Sequence, residues 1–266
     1  MAIKKLAVCG CSFSAPSNDP KLKGTSWGEQ LADMLGWDLL HYARQGVSNG
    51  GIRIMIDQCI REKVDFAVIA PTFHDRMEIP ATAAPFDWTK KTAGWNPLIQ
   101  QHLQNVDILN GYQEELGIHN VNYGSNNYTM ICETIYTLAE NFEHPYRSQT
   151  LDKDTSNAVK QYINFMYDSN WKLQQDRWII RDGIMQLHYH KIPFLLVACN
   201  IWTSNMVRDH FPDVIPDHCL TLDYKDTTAY ATSDFPFEGE DPGYHGSIEG
   251  QTYLAKRYKE IIECHS

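Results

Sequence analysis

The chain has 266 residues, 43% hydrophobic and 21% charged, which suits one large α/β domain or a domain with a sizeable insertion. Its formal charge is -10 and no basic run is longer than Lys90-Lys91, so a nucleic-acid-binding surface with clustered Lys and Arg is excluded. The 7 cysteines lack paired spacing, and no run approaches the ~18 apolar residues of a membrane helix. We therefore expect a cytoplasmic protein without a signal peptide or membrane contact.

The first eighty residues alternate between strand and helix patterns. An apolar run ends at Gly10, and Ser26 followed by Glu29 is typical of a capping box at the start of a helix. Residues 37–43 predict a second strand, the Gly- and Asn-rich stretch GVSNGG leads into a second helix, and residues 64–72 predict a third strand. This alternation favours a parallel sheet with helices on both faces.

The same pattern returns in the last third of the chain. Residues 192–200 predict a further strand, after a helical pattern over residues 156–191 that fits either one long helix or two helices joined by a kink. An amphipathic helix follows at residues 247–265. We expect a three-layer α/β sandwich around a parallel sheet of roughly five strands.

Residues 81–154 do not follow the alternation. The stretch HNVNYGSNNYT is interpreted as a loop and MICETIYTLAENF as a helix, which predicts a mainly helical insertion outside the sheet layers. We interpret it as a cap or lid within a single domain of residues 1–266. A peripheral elaboration without a role in ligand binding is the alternative.

Four polar loop segments follow the predicted strands or precede the last helix, namely GCSFS, GVSNGG, PTFHDRMEI and EDPGYHGS. In a doubly wound sheet such loops converge on one edge, where ligands bind. A nucleophilic serine needs a base, a carboxylate that orients the base, and N–H donors for the oxyanion. Ser12, His245 and Asp241 could supply the first three groups, with donors from the loops at Gly46 and His74.

In the order and context of these segments the chain resembles the SGNH, or GDSL-like, hydrolase family. GCSFS stands where the family has Gly-Asp-Ser, ARQGVSNGG carries a glycine after the second strand, and DPGYHGSIEGQTYLAKRY resembles the closing Asp-x-x-His block. The resemblance covers residues 4–79 and 192–262. It implies a flavodoxin-like fold and hydrolysis of esters by a serine nucleophile.

Carried over by position, the resemblance implies that Ser12 is the nucleophile and that its own N–H contributes to the oxyanion hole. Gly46 resembles the second oxyanion donor, and His74 stands where the family has an asparagine donor. His245 resembles the base.

The chain departs from the family pattern at the acid and in the first block. The position three residues before His245 is Pro242, and Asp241 lies four before it, so the triad acid is shifted by one residue. Cys11 stands where the family has the aspartate of Gly-Asp-Ser.

Further polar and aromatic residues near these segments are candidates for substrate contact. Asp75 and Arg76 could clamp a substrate or form a local salt-bridge network with Glu78. Asn49 could orient a substrate or occupy a turn position beside its two glycines. Aromatic residues of the insertion could stack on sugar rings or form its small core: Trp88, Trp95, Tyr123 and Tyr128.

Two hypotheses follow from the sequence. The first is an SGNH-like serine esterase or deacylase that acts on an O-acyl group of a carbohydrate or another small polar ester. The second is an SGNH-like binding or structural module that has lost catalysis, as the departures from the family pattern allow. No cofactor is expected, and no metal is expected because His188 and His190 are two residues apart and lie on different helix faces.

Overall fold

The computed structural model describes residues 4–17, 19–44, 47–74, 76–80, 118–123, 126–134, 158, 161–197, 199, 221, 223–230, 234–235 and 245–265. The chain divides into two compact units, which are described separately. The first unit comprises Met1–Phe73 and Gln175–Ser266, and the second comprises His74–Gln174.

Strand and helix alternate in the described residues up to Ala70, as expected from the sequence, and three further strands then follow with no described helix between them. The strands are β1 (Lys5–Gly10), β2 (Asp38–His41), β3 (Phe66–Ala70), β4 (Arg76–Pro80), β5 (Ile118–Tyr123), β6 (Asn126–Thr134) and β7 (Phe194–Leu196). The α-helices are α1 (Trp27–Leu35), α2 (Asn49–Glu62), α3 (Ser169–Tyr189) and α4 (Ile248–His265), and short 3-10 helices cover Pro20–Leu22 and Tyr224–Asp226.

A parallel sheet with the strand order β2-β1-β3-β7 forms the centre of the first unit. Leu6 of β1 pairs with Leu39 of β2 on one side and with Phe66 of β3 on the other. The chain therefore reverses its direction of winding between β1 and β3. In such sheets the loops that leave the two central strands diverge and form a crevice at the carboxyl ends of the strands.

The predicted α/β fold with a parallel sheet is confirmed, but the strand number is wrong for the described part of the chain. The parallel sheet there has four strands rather than roughly five. Each of these strands corresponds to one of the apolar runs identified in the sequence, whereas the fifth was expected from the fold class and not from a particular run.

Helices cover both faces of this sheet because alternate residues of β1 point in opposite directions. Leu6 and Val8 pack in one core with Trp27 of α1 and Tyr258 of α4, and the two aromatic rings meet edge to face at 5.0 Å. On the other face Cys9 contacts Cys59 of α2, with 3.4 Å between the sulfurs. The sheet is thus a middle layer between α1 and α4 on one side and α2 on the other.

The starts of the first two helices are fixed by side-chain caps. The Ser26 hydroxyl accepts a hydrogen bond from the Glu29 N–H, and the Glu29 carboxylate accepts one from the Ser26 N–H, as the predicted capping box requires. At the start of α2 the Ser48 hydroxyl accepts a hydrogen bond from the Gly51 N–H. These caps satisfy backbone donors that have no partner within the helix.

The long helical pattern before β7 consists of two helical segments. Residues 161–165 are helical, residues 166–168 are not, and α3 begins at Ser169. Asp168 accepts a hydrogen bond of 2.7 Å from the Trp171 N–H, which caps the new helix. Of the two alternatives left open by the sequence, the structure shows the interrupted helix. Residues 156 and 157, where the helical pattern begins, lie outside the described residues.

The second unit contains an antiparallel sheet with the order β4-β6-β5. β5 and β6 pair as a hairpin in which Tyr123 lies opposite Asn126. The loop predicted at residues 119–129 and the helix predicted from Met130 are therefore wrong where the structure describes them. Two intervening residues, Gly124-Ser125, are a hairpin signal between β-forming stretches, and strand pairing prevailed over the helical spacing.

The described part of residues 81–154 is consequently made of strands, so the expected helix is wrong at residues 130–134 and stays a prediction for the rest of the segment. These strands form their own sheet and add none to the parallel one. The boundaries of the insertion at residues 81–154 and its function as a cap or lid stay predictions.

We predict that His41 makes the folding free energy depend on pH. Its ring nitrogens are buried without a hydrogen-bond partner among the described residues, and burial lowers the pKa of His41 from 6.5 to about 4, against the opposing effect of the Glu29 charge. As the pH falls, His41 binds a proton in the unfolded chain at a higher pH than in the folded chain. Above about pH 6.5 His41 therefore does not reduce the free energy of unfolding, whereas this free energy falls by about 3 kcal/mol as the pH approaches 4.

Urea unfolding at several pH values between 8 and 4.5 measures this effect. The variant His41→Leu cannot titrate at this position, so its free energy of unfolding should decline less steeply below pH 6.5. Identical pH dependence in the two proteins would contradict the assignment.

Candidate active site

The turn that follows β1 presents Ser12 at the carboxyl end of the sheet. The N–H groups of Ser14 and Ala15 both donate to the Cys11 carbonyl, each at 2.9 Å, so the chain reverses immediately after the strand. Gly10 permits this turn because a Cβ at that position would lie 2.7 Å from the Ser14 hydroxyl oxygen and 3.0 Å from the Ala70 methyl group. Ser12 is therefore held next to the crevice between β1 and β3.

The structure brings Ser12 and His245 together. The Ser12 Oγ and the His245 Nε2 are 3.0 Å apart, although 233 residues separate them in the sequence. Ser12 is 9% exposed and His245 is half-buried. This distance allows Nε2 to accept the serine proton when the tautomer places the ring proton on Nδ1.

An aromatic side chain fixes the plane of the His245 imidazole. The Phe13 ring stacks on it with 4.2 Å between the ring centroids and 17° between the planes. Phe73, at the end of the loop after β3, contacts Phe13 at 6.0 Å. This function of Phe13 is not among the predictions from the sequence, although the position of Phe13 next to the candidate nucleophile is a usable signal.

Two backbone N–H groups lie at the turn next to the Ser12 hydroxyl. Among the described residues, the N–H groups of Ser12 and Phe13 donate to no acceptor. Adjacent amides in such a turn can hold a negatively charged oxygen. The oxyanion donor predicted from Gly46 lies outside the described residues and stays a prediction.

His245 is placed by the turn that starts α4. Gly246 has a φ of 79°, a left-handed conformation that glycine adopts without strain. The Ser247 N–H donates to the Phe235 carbonyl at 2.7 Å, and the Ser247 hydroxyl accepts from the Gly250 N–H at 3.2 Å. The imidazole is thus presented from a capped helix start.

The predicted acid Asp241 lies outside the described residues, so its distance from His245 stays untested. Asp234, another acidic residue of this segment, is engaged with Tyr230. The hydrogen bond from the Tyr230 hydroxyl to this carboxylate raises the pKa of Tyr230 to about 12.

Asn49 is completely buried and connects three elements of the first unit. Its Oδ1 accepts from the Thr72 N–H at 2.8 Å, and its Nδ2 donates to the Thr72 carbonyl at 3.0 Å and to Asp176 at 2.9 Å. Both amide protons are used in these bonds, which gives Asn49 a structural function in holding the loop after β3. Its contact with a substrate stays a prediction.

The other predicted site residues belong to the second unit. There the His74 Nε2 lies 3.1 Å from the Ser169 hydroxyl oxygen, and Arg76 is buried at the start of β4. Their oxyanion and substrate functions stay predictions. Asp75, Trp88 and Trp95 lie outside the described residues.

The described residues contain no group of three or more His, Cys, Asp or Glu side chains that could hold a metal ion. None of the helices in the described part of the chain is long and apolar enough to cross a membrane.

Comparison with known proteins yields only a distant likeness. No protein-family model and no curated protein matches the chain. One solved structure, described as that of a candidate lipolytic protein of the G-D-S-L family from Desulfitobacterium hafniense DCB-2, aligns over 97% of this chain and 99% of its own with 11% identity and a TM-score of 0.45. A likeness this distant says nothing about function, which has to be inferred from the side chains of the site.

We predict that Asn49→Ala lowers the free energy of unfolding by about 2 kcal/mol, because it leaves the buried Thr72 peptide groups without their partner. Urea unfolding measures the change. Gln58→Ala, a half-buried position on the same helix, is the control and should change stability by less than about 0.5 kcal/mol. Equal effects of the two variants would contradict the structural function of Asn49.

Proposed function

We propose that the chain is an SGNH-like serine ester hydrolase in which Ser12 is the nucleophile and His245 its general base. The observation that carries the proposal is the 3.0 Å contact between the Ser12 Oγ and the His245 Nε2. A serine hydroxyl is a weak nucleophile unless a neighbouring base takes its proton. The turn after β1 adds two N–H groups without acceptors among the described residues.

In the proposed reaction the Ser12 Oγ attacks the ester carbonyl carbon while the His245 Nε2 takes the hydroxyl proton. The carbonyl oxygen becomes an oxyanion, which the N–H groups of Ser12 and Phe13 stabilise. Collapse of this intermediate breaks the bond to the alcohol oxygen, and the departing alcohol receives the proton from Nε2. A water molecule then attacks the acyl-serine with the same base, releasing the acid and restoring Ser12.

Asp241 is proposed to orient the imidazole by accepting a hydrogen bond from Nδ1. The Phe13 ring supports the same orientation, since its stacked position limits rotation of the imidazole out of plane. The substrate is proposed to be an O-acyl group on a carbohydrate or another small polar ester. This choice of substrate is proposed from the order of the four loop segments in the sequence. On the same basis, Gly46 and His74 are proposed as further oxyanion donors. Asn49, Asp75 and Arg76 are proposed as substrate contacts.

We predict that Ser12→Ala and His245→Ala each reduce hydrolysis of a short activated ester, such as p-nitrophenyl acetate, by at least about a thousandfold, because each removes one half of the nucleophile-base pair. The release of p-nitrophenol measures the rate. Ser17→Ala makes the same change in the same loop and should retain wild-type activity. A folded wild-type protein with no turnover would contradict the proposal and favour the binding-module alternative.

The proposed function of Asp241 in orienting the imidazole is tested by a separate variant. Asp241→Asn should reduce the rate by about 10⁴-fold with the fold intact, because the amide favours the wrong imidazole tautomer. Wild-type activity in this variant, together with inactive Ser12→Ala and His245→Ala, would contradict the function of Asp241 and leave a dyad.

A further inference from the structure

Gln251 lies in the first turn of α4 and is only 4% exposed. Its side-chain oxygen accepts a hydrogen bond of 2.8 Å from the Trp27 N–H, and its amide nitrogen donates to the backbone carbonyl of His245. Trp27 is the first residue of α1, where a helix leaves its N–H groups without internal partners. One amide side chain thus satisfies a buried helix donor and holds the peptide group of the candidate base.

The same contacts continue to the nucleophile. The Trp27 indole N–H donates to the Phe13 carbonyl at 3.1 Å, and Phe13 directly follows Ser12 and stacks on His245. Ser12, His245, Gln251, Trp27 and Phe13 therefore form a closed ring of contacts. Ser12 and His245 are thus connected directly and also through Trp27 at the start of α1.

We propose that Gln251 is a positioning residue for His245, a function that rests on the proposed hydrolase activity. An amide has a donor and an acceptor on opposite branches, and this position uses both. A displacement of about 1 Å at a reacting group can cost about 100-fold in rate, so the position of the His245 peptide affects the chemistry directly. Gln251 itself touches no reacting atom.

The substitution Gln251→Glu tests the donor half of this contact. The carboxylate still accepts from the Trp27 N–H, but its second oxygen faces the His245 carbonyl without a proton to donate. Protonation of the introduced carboxyl at low pH restores a donor. The pH profile therefore distinguishes positioning from a general loss of packing, which would be independent of that proton.

The readout is the second-order rate constant for labelling by a fluorophosphonate, which reports the activated serine. At pH 8 we expect Gln251→Glu to react about 10-fold to 100-fold more slowly than the wild type. The ratio of variant to wild-type rate constants should rise towards one as the pH is lowered to 5. Gln251→Met, which removes both bonds with similar volume, should be slow at every pH and shows the effect if Gln251→Glu does not fold.

Thr252→Val is the matched control. Thr252 follows Gln251 and its hydroxyl donates to the Gln30 side-chain oxygen at 2.7 Å, so it also connects α4 to α1 but does not contact His245. Its labelling rate should equal that of the wild type.

Two results would overturn the inference while the proposed function stands: wild-type labelling rates in Gln251→Glu and Gln251→Met, or an equal loss of rate in Thr252→Val. A folded wild-type protein that is not labelled at all would instead overturn the proposed function and the positioning function with it.

Discussion

Close packing where the chain leaves β1 is the constraint on which the candidate site depends. Because Gly10 has no side chain, the Ser14 hydroxyl and the Ala70 methyl group can approach the end of the strand. The N–H groups of Ser14 and Ala15 then both donate to the Cys11 carbonyl. The chain therefore turns within two residues of the sheet. Ser12 therefore lies at the carboxyl end of β1, where the switch in strand order opens a crevice. At this position its Oγ is 3.0 Å from the Nε2 of His245, which precedes α4.

The apolar core positions the helices, and a few buried polar contacts then fix the loops. Leu6, Val8, Trp27 and Tyr258 share one core, which holds α1 and α4 on the same face of the sheet. Asn49 and Gln251 each use a side-chain amide to tie a helix start to a loop at the site. Each such bond contributes only about 1 kcal/mol to stability, but it restricts geometry where small displacements change a reaction rate.

The sequence predicted features that depend on local patterns. The capping box of Ser26 and Glu29 is such a feature, and so are the apolar runs that became the four parallel strands. The prediction of a loop and a helix in place of the β5–β6 hairpin is wrong because apolar spacing after Met130 also fits a helix, whereas the hairpin signal consists of only two residues, Gly124-Ser125. Gln251 could not be predicted, since its partner Trp27 is 224 residues away and an amide in a helix usually faces solvent.

The serine-histidine contacts in the described residues include Ser12–His245 in the first unit and His74–Ser169 in the second. In the first contact the serine lies in the turn at the carboxyl end of β1. The most direct test is to treat the folded protein with a fluorophosphonate and to locate the phosphonylated residue by tandem mass spectrometry. The account predicts one adduct, on Ser12, that is lost in His245→Ala. An adduct on Ser169, or none on Ser12, would contradict it.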